Sequence, residues 1–307
     1  MTLVIGVDIG GTKTSAGLVD SAGALLAVRT VPTPADRGRK AVIGAAAGLV
    51  RALADVPGGA GEKVAAVGVG SAGVVDPESG VVVSATGAIA GWAGTDLRGE
   101  LSREVGLPVA VDNDVHAHAR GERWRGAAAG RTDVLVMVVG TGVGASLVLG
   151  GRVRHGAHAV AGHAGHLPAP GGGDRPCPCG ARGHVEAVAS GPALLAEYRR
   201  RTGSGAAHLA EVAHLAAEGD PTAAAVLAEG AAVLGSAIGG LLNVVDPEIV
   251  VVGGGVAGCG EVWWNALREA VRAEVLPALR DLPVVPSALG AGAALLGAAR
   301  MALEEEA

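Results

Sequence analysis

The chain contains 307 residues, 50% of them hydrophobic and 18% charged, which is enough for two ordinary globular domains with buried cores. The formal net charge of −6 and the scattered basic residues provide no concentrated positive patch, so nucleic acid is not an expected partner. The opening MTLVIGV lacks the basic leader and small-residue cleavage site of a secretory signal, and we expect a cytoplasmic protein.

Two uncharged stretches and three cysteines bear on membrane and redox environment. Residues 134–151 and 230–245 are short or glycine-rich compared with the ~20 apolar residues of a membrane-spanning helix, so we expect them in a soluble core. Cys177 and Cys179 lie close together and Cys259 stands alone, which is a poor disulfide framework. The pattern suits a reducing compartment and leaves a metal site open.

The chain begins with a predicted hairpin that has a second copy further on. LVIGVDIGGTKTSAGLVD predicts strand, glycine turn and strand, and DVLVMVVGTGVGASLVLGG predicts the same. Aligning Gly11 with Gly140 matches the apolar positions of both segments, which indicates an internal duplication. The alignment places Asp8 opposite Met137, so only the first copy carries a carboxylate at this point.

The rest of the chain predicts alternating helices and strands, as in an α/β protein. Two loops rich in proline and glycine lie at residues 57–61 and 168–176. The predicted helices cover residues 40–54, 114–125, 191–201, 222–244 and 261–279, and the predicted strands cover residues 64–70, 108–111 and 248–252.

Three glycine-rich loops are candidate phosphate or nucleotide sites. Glycine allows the backbone amides to approach a phosphate closely, and a lysine or threonine adds further contacts. Ordinary tight hairpins and helix-start packing are the alternative interpretations. Asp8 could hold Mg²⁺, or it could cap a turn. The candidate loop residues are Gly10, Gly11, Thr12 and Lys13 in the first loop, Thr141 and Gly142 in the second, and Gly254 and Gly255 in the third.

A candidate general base lies where a predicted strand gives way to a helix. PVAVDNDVHAHARGE places Asp112, Asn113 and Asp114 at the carboxyl end of a strand, where α/β enzymes collect catalytic groups. Phosphoryl transfer to a hydroxyl needs a carboxylate to accept the proton, and Asp114 is our candidate. Asn113 would bind a substrate hydroxyl. The alternative is that Asp112 or Asp114 is only a helix cap.

A histidine and cysteine segment at residues 161–190 is a candidate zinc site. His166, Cys177, Cys179 and His184 could supply four tetrahedral ligands, although Cys-x-Cys is tighter than a usual zinc-finger pair. Solvated loop residues are the alternative interpretation. A metal here would be structural, because it would fasten a loop that lacks apolar content.

Together these motifs resemble the ROK family (repressors, open reading frames, kinases), and the resemblance covers essentially the whole chain. The matching elements are DIGGTK at residues 8–13, GVGSAGVVD at 68–76, NDVHAHARGE at 113–122, GTGVG at 140–144 and the histidine and cysteine segment. The resemblance implies an α/β, actin-like ATPase (ribonuclease H-like) fold, duplicated into two domains with a cleft between them. Residues 1–114 with 290–307 would form a smaller N-terminal domain. Residues 115–289 would form a larger C-terminal domain with the zinc loop.

The same resemblance implies a kinase that transfers phosphate from ATP to the 6-hydroxyl of a hexose or an N-acetylhexosamine. The resemblance implies Mg²⁺ and structural Zn²⁺ as the metals. It also implies a homodimer, with a tetramer as the alternative. No nucleic acid or membrane partner is implied. Asp114 would be the base, and the sugar contacts would be Ser71, Gly73, Asn113, Asp114, His163, His166 and Glu186, with His166 also a zinc ligand.

Several positions depart from the glucokinase pattern of the family. His163 replaces a glutamate, Ala88 an asparagine, Ala72 a proline and His184 a zinc cysteine. The form AGHAGH looks most like bacterial N-acetylmannosamine kinases, so N-acetylmannosamine and glucose are the leading substrates. The alternative function is a non-catalytic sugar sensor or a regulator that lacks its own DNA-binding domain, and an actin-like assembly protein is a further one. A regulator with its own DNA-binding module is not expected, because the first glycine loop follows directly on Asp8.

Overall fold

The computed structural model describes residues 2–56 and 63–305. The loop predicted at residues 57–61 lies outside the described residues. The chain divides into two compact units, each discontinuous in sequence. The first comprises Met1–Gly130, Val153–Ala161 and Ala288–Ala307, and the second comprises Arg131–Arg152 and Gly162–Ser287.

The described strands and helices alternate along the chain. The strands are β1 (Leu3–Ile9), β2 (Lys13–Asp20), β3 (Leu25–Pro32), β4 (Val64–Ser71), β5 (Val74–Asp76), β6 (Val81–Ser84), β7 (Thr95–Asp96), β8 (Val109–Asn113), β9 (Val134–Val139), β10 (Val143–Leu149), β11 (Arg152–Val153), β12 (Ile249–Gly253) and β13 (Val284–Pro286). The helices are α1 (Arg39–Ala54), α2 (Leu97–Val105), α3 (Asp114–Arg125), α4 (Glu186–Ala189), α5 (Gly191–Thr202), α6 (Leu209–Ala217), α7 (Pro221–Val245), α8 (Glu261–Glu274) and α9 (Ala293–Glu305).

The two units are built on sheets of the same design. In the first unit the strand order is β3-β2-β1-β4-β8, and in the second it is β11-β10-β9-β12-β13. Each sheet starts with an antiparallel hairpin and continues into parallel strands. Both predicted hairpins are confirmed, and the repeated strand order supports the duplication inferred from the glycine loops.

The first unit buries its main sheet on both faces, which explains the near-continuous apolar runs in β1 and β4. Helices α1 and α2 cover one face with a core of valine, leucine and isoleucine. Helix α9 covers the other face at very short range, because a Cβ atom at Gly6 or Gly68 would overlap a carbonyl oxygen of that helix. Small residues therefore fix how closely the helix approaches the sheet.

Helix α3 belongs to the first unit, although the sequence predicted the domain boundary at residue 114. The reason is another close helix contact: a Cβ atom at Gly121 would overlap the backbone of Ala293, and one at Gly297 would overlap the backbone of Ala117. Helices α3 and α9 thus pack backbone to backbone. Such glycine contacts between distant segments leave no local pattern in the sequence.

Helix α7 forms the centre of the second unit. Pro221 opens it, and the side chain of Asp220 caps it by accepting from the Ala223 amide. Among the described residues it is the one helix long and apolar enough to cross a membrane by length and composition, and half of its most apolar window is buried. Its inward face packs in the core with α8, as expected for residues 230–245.

Helix α8 is shorter than predicted. It ends at Glu274, and the predicted residues up to 279 form a 3-10 turn at Pro277–Leu279 instead. Pro277 explains this end, because proline disfavours helical geometry in the residue before it and lacks an amide hydrogen.

Candidate functional site

The carboxyl end of β1 brings together two of the predicted functional carboxylates. Asp8 lies in β1 opposite Gly70 of β4 and is partly buried. Burial raises the pKa of Asp8 to about 7, the negative charge of nearby Asp114 adds to the rise, and Lys13 opposes it. Two carboxylates this close repel one another, so the pair is suited to a cation that neutralises both.

The junction of β8 and α3 positions Asp114. Asn113 is the helix N-cap: its side-chain oxygen accepts from the amides of Val115 at 2.9 Å and His116 at 3.3 Å. Its side-chain nitrogen donates to the carbonyl of Gly73 at 2.9 Å. The capping role considered for Asp112 or Asp114 therefore falls to Asn113. Asp114 is the first residue of the helix and also accepts from the Val115 amide.

The end of β4 is fixed by a tryptophan. The Trp92 indole donates to the hydroxyl of Ser71 and to the carbonyl of Ala72, each at 3.1 Å. Ser71 and Trp92 are both buried. Gly73 follows with a φ of 100°, a conformation that glycine adopts readily. Ser71, Gly73 and Asn113 thus form one hydrogen-bonded group next to Asp114.

The first glycine loop is a closed turn. The Gly10 amide donates to the Lys13 carbonyl at 3.1 Å, and the Thr33 hydroxyl donates to the Gly10 carbonyl at 2.8 Å. Thr12 and Lys13 are exposed. The turn is therefore held by its own backbone and by Thr33, while the side chains predicted to contact phosphate stay accessible.

The second and third glycine loops lie side by side in the second unit. Gly140 accepts from the Gly191 amide at the start of α5. Glu186 accepts from the Val143 amide at 2.9 Å, next to Gly142. Gly254 has a φ of 89°, and a Cβ atom there would overlap the backbone of Val139. The third glycine loop therefore packs against the end of β9, from which the second glycine loop begins, and the sequence could not establish this contact.

The histidine and cysteine segment brings its four predicted ligands together. Ligand atoms of His166, Cys177, Cys179 and His184 all lie within 4.8 Å of one another. The Cys177 sulfur is 3.6 Å from Nδ1 of His166, and the Cys179 sulfur is 3.4 Å from Nδ1 of His184. Tetrahedral zinc, with Zn–S about 2.3 Å and Zn–N about 2.0 Å, places such donors about 3.5 Å apart. The donors fit zinc in both type and spacing.

The predicted sugar residues of the second unit surround this cluster. The rings of His163 and His166 lie 6.3 Å apart in a nearly parallel arrangement, and His166 is 5.5 Å from the ring of His184. Burial lowers the pKa of His166, although the charge of Glu186 opposes this. Glu186 is buried, and its second oxygen lies 4.0 Å from the Cys177 sulfur. Glu186 therefore links the histidine and cysteine cluster to the second glycine loop.

The sequence analysis missed Glu122. Its buried carboxylate accepts from the amides of Ala127 at 2.7 Å, Ala288 at 3.3 Å and Leu289 at 3.0 Å. It thereby fastens the returning C-terminal segment to α3 in the first unit. A glutamate within a helix usually indicates a solvated surface position. Nothing in the local pattern indicated that its carboxylate accepts a hydrogen bond from Ala288, 166 residues further along the chain.

The sequence analysis also treated Asp112 only as a possible cap. The structure buries it and gives it a hydrogen bond from His155 at 2.8 Å and an ion pair with Arg120 at 3.2 Å. Burial alone would raise the pKa of Asp112, but the His155 hydrogen bond and the charges of His116 and Arg120 outweigh it and hold that pKa below its usual range. The carboxylate is therefore ionised at neutral pH.

Comparison with known proteins gives consistent matches over the whole chain. The sequence model of the ROK family matches residues 4–305. A glucokinase from Thermotoga maritima is 34% identical over 315 residues, covering 98% of this chain and 97% of that protein. A solved ROK hexokinase from Thermus thermophilus is 36% identical, with a TM-score of 0.84 and 99% of each chain covered.

A ROK family glucokinase from Streptomyces griseus, solved in complex with glucose and AMPPNP, is 34% identical with a TM-score of 0.86. The match covers 98% of this chain and 99% of that chain. These solved structures confirm the predicted actin-like α/β fold.

Proposed function

This chain belongs to the ROK family, and we propose that it is an ATP-dependent sugar kinase that phosphorylates the 6-hydroxyl of a hexose or an N-acetylhexosamine. The similarity to glucokinases and to a hexokinase supports the reaction class. The observation that carries the proposal is the pair of neighbouring carboxylates, Asp8 and Asp114, at the strand ends of the first unit.

Asp114 is the proposed general base. It lies at the first position of α3, where the Asn113 cap fixes the backbone. Its carboxylate would accept the proton of the sugar 6-hydroxyl as that oxygen forms its bond to the γ-phosphorus and the bond from phosphorus to the ADP oxygen breaks. Asp112 is not suited to this role, because its carboxylate is buried and already bonded to Arg120 and His155.

Asp8 is the proposed Mg²⁺ residue. It is a hard oxygen ligand, it lies next to the exposed loop Gly10–Lys13, and its burial favours a cation partner. Bound Mg²⁺ would offset the negative charge of the phosphates. We assign the ATP phosphates to Gly10, Gly11, Thr12, Lys13, Thr141 and Gly142, and the remaining nucleotide to Gly254 and Gly255.

The proposed sugar contacts of the first unit are Ser71, Gly73, Asn113 and Asp114, and the side-chain nitrogen of Asn113 lies 2.9 Å from the Gly73 carbonyl and 3.5 Å from the Ser71 carbonyl. In the second unit they are His163, His166 and Glu186. Glucose is a leading substrate because of the glucokinase relatives, and N-acetylmannosamine because of the AGHAGH form. The proposed sugar contacts other than Asp114 would orient the sugar so that its 6-hydroxyl lies next to the Asp114 carboxylate.

Zinc is the proposed structural metal at His166, Cys177, Cys179 and His184. Burial raises the pKa of the Cys177 thiol to about 11, with Cys179 and Glu186 contributing, so the thiolate needs a nearby cation. Bound zinc would supply that charge and hold the loop at residues 168–184 against Glu186. We further propose a cytoplasmic homodimer, with a tetramer as the alternative.

The test is a kinetic panel of the full chain with ATP and Mg²⁺ against glucose, mannose, N-acetylglucosamine and N-acetylmannosamine. We expect turnover of at least one sugar, and a loss of roughly 10²- to 10⁴-fold in kcat for Asp114→Asn with little change in sugar binding. Zinc is quantified on the same samples. Equal turnover by wild type and Asp114→Asn on every sugar would contradict the assigned base, and sugar binding without any turnover would support a sensor.

A further inference from the structure

A second group of metal-ligating side chains lies in the first unit, separate from the histidine and cysteine segment. Asp112 lies near the end of β8, His116 in the first turn of α3, and His155 in the segment Val153–Ala161. One ligand atom from each residue lies within 4.8 Å of the other two. We propose that Asp112, His116 and His155 bind a divalent transition metal, with zinc as the first candidate.

The group is preformed and largely shielded from water. Asp112 and His116 are each 1% exposed. His155 is the more accessible member, and its Nε2 donates to the ionised Asp112 carboxylate at 2.8 Å. The rings of His116 and His155 meet edge to face with their centres 4.9 Å apart. Two imidazoles from separate segments thus converge on one buried carboxylate, and a metal could enter from the His155 side.

The donor set selects the class of metal. Two imidazoles are borderline ligands, and together with one carboxylate they suit zinc and its first-row neighbours, whereas magnesium prefers an all-oxygen set of carboxylates and water. The site therefore differs in chemistry from the Mg²⁺ site proposed at Asp8. It also differs from the zinc site proposed at the histidine and cysteine segment, because it contains no sulfur.

Arg120 is the competing cation. One of its terminal nitrogens lies 3.2 Å from the same Asp112 oxygen that His155 contacts, and the other lies 3.7 Å from Glu304. Arg120 therefore has a second carboxylate to pair with when a metal takes its place at Asp112. The imidazole of His155 would bind as the neutral ring, with its proton on the ring nitrogen that does not face the metal.

Metal at this position would tie three segments of the first unit together. Asp112 directly precedes the Asn113 cap and Asp114 in the chain. His155 belongs to Val153–Ala161, a segment of the first unit that lies in sequence between the two segments of the second unit. Binding would stabilise the folded state, since the unfolded chain does not hold the three ligands in place.

The test is metal stoichiometry and cobalt spectroscopy on the full chain, stripped with chelator and then dialysed against zinc or cobalt. In a Cys177→Ser, Cys179→Ser background we expect one remaining equivalent of zinc. Adding His155→Ala or His116→Ala should remove it and weaken cobalt binding at least tenfold. The matched control is His158→Ala, an exposed histidine of the same segment, which should leave the equivalent in place.

Cobalt distinguishes the two sites, because the cysteine site gives sulfur-to-cobalt charge-transfer absorption and the second site does not. If the double cysteine variant fails to fold, the same comparison is made in the wild-type background, where two equivalents should fall to one with His155→Ala. A double cysteine variant that binds no metal, a wild-type stoichiometry that His155→Ala leaves unchanged, or equal losses in His155→Ala and His158→Ala would overturn the proposal.

Discussion

The two units of the molecule share a sheet but differ in where they carry reactive side chains. At equivalent points of the duplicated hairpin, the first unit has Asp8 and the second has Met137, which is completely buried in an apolar core. The first unit adds Asp112 and Asp114 at the end of β8. The second unit offers backbone loops and the histidine and cysteine segment. The comparison indicates two similar scaffolds, of which only the first carries aspartates at these strand ends.

The units also differ in how their sheets are covered. Gly6 of β1 aligns with Leu135 of β9, and only the glycine lets a helix reach the sheet backbone. In the second unit the larger side chain stands between sheet and helix and lines a cavity of about 210 Å³. The walls of this cavity are Leu135, Ala145, Leu147, Gly162, His163, Ala164, Leu167 and Leu241. Backbone contact therefore brings the covering helix closer to the sheet at Gly6 in the first unit.

The largest effect is expected when Asp8 of the first hairpin is replaced by methionine, the residue at the equivalent position of the second hairpin. Asp8→Met removes the proposed Mg²⁺ ligand, and we expect kcat to fall roughly 10³-fold, because metal stabilisation of phosphate charge is worth several kcal/mol. The measurement is kcat across a range of Mg²⁺ concentrations. Asp8→Asn is the control of equal shape and should also lose activity. A change of less than twofold in both variants would mean that Asp8 has no part in metal binding.

A smaller effect is expected from the difference in how closely helices pack on the two sheets. Gly6→Ala forces a methyl group into the backbone of α9, and we expect the free energy of unfolding to fall by about 1–3 kcal/mol. Gly48→Ala is the matched control, since it lies on the exposed face of α1 with no neighbour in the way and should stabilise by about 0.4–1 kcal/mol. Urea unfolding measures both. Equal changes in the free energy of unfolding for the two variants would contradict the close contact between β1 and α9.

The smallest effect concerns the ion pairs that join the helices of the second unit. Arg200 and Arg201 hold the pKa of Glu197 down to about 2, against the opposing effect of its burial, and Arg201 also pairs with Glu229 on α7. Because this pKa is lowered on folding, the stabilisation is present above about pH 4.5 and is lost as the pH falls toward 2.

Glu197→Gln should therefore reduce the free energy of unfolding by up to about 1 kcal/mol at pH 7 and by almost nothing near pH 2. Glu269→Gln, on the exposed face of α8, is the control and should show no such difference. The measurement is thermal or urea unfolding at several pH values. A loss for Glu197→Gln that does not change with pH would show that the ion pairs contribute nothing.

Local patterns predicted much of the fold. Both glycine hairpins, the start of α3 at Asp114 and the long helix α7 were recognisable because their signals lie within a few neighbouring residues. The grouping of His166, Cys177, Cys179 and His184 was recognisable for the same reason. The end of α8 was placed too late, since the effect of Pro277 was not weighed against the apolar pattern.

Contacts between distant segments were not predictable. Glu122 receives hydrogen bonds from Ala288 and Leu289, and Asp112 meets His155 across 43 residues. Asn113 rather than an aspartate caps α3, because its amide group can accept from the helix and donate to Gly73 at once. These hydrogen-bond partners depend on the three-dimensional surroundings of each residue, and a local sequence pattern does not contain that information.

The most direct test of the central claim, that Asp114 of the first unit performs the proton transfer, is a rapid-quench measurement of a single turnover. Wild type and Asp114→Asn are mixed with ATP, Mg²⁺ and the sugar that gives the highest turnover, with sugar affinity measured by calorimetry on the same proteins. The account predicts that the rate of phosphoryl transfer falls roughly 10²- to 10⁴-fold while sugar affinity changes little. Equal transfer rates in the two proteins would contradict it.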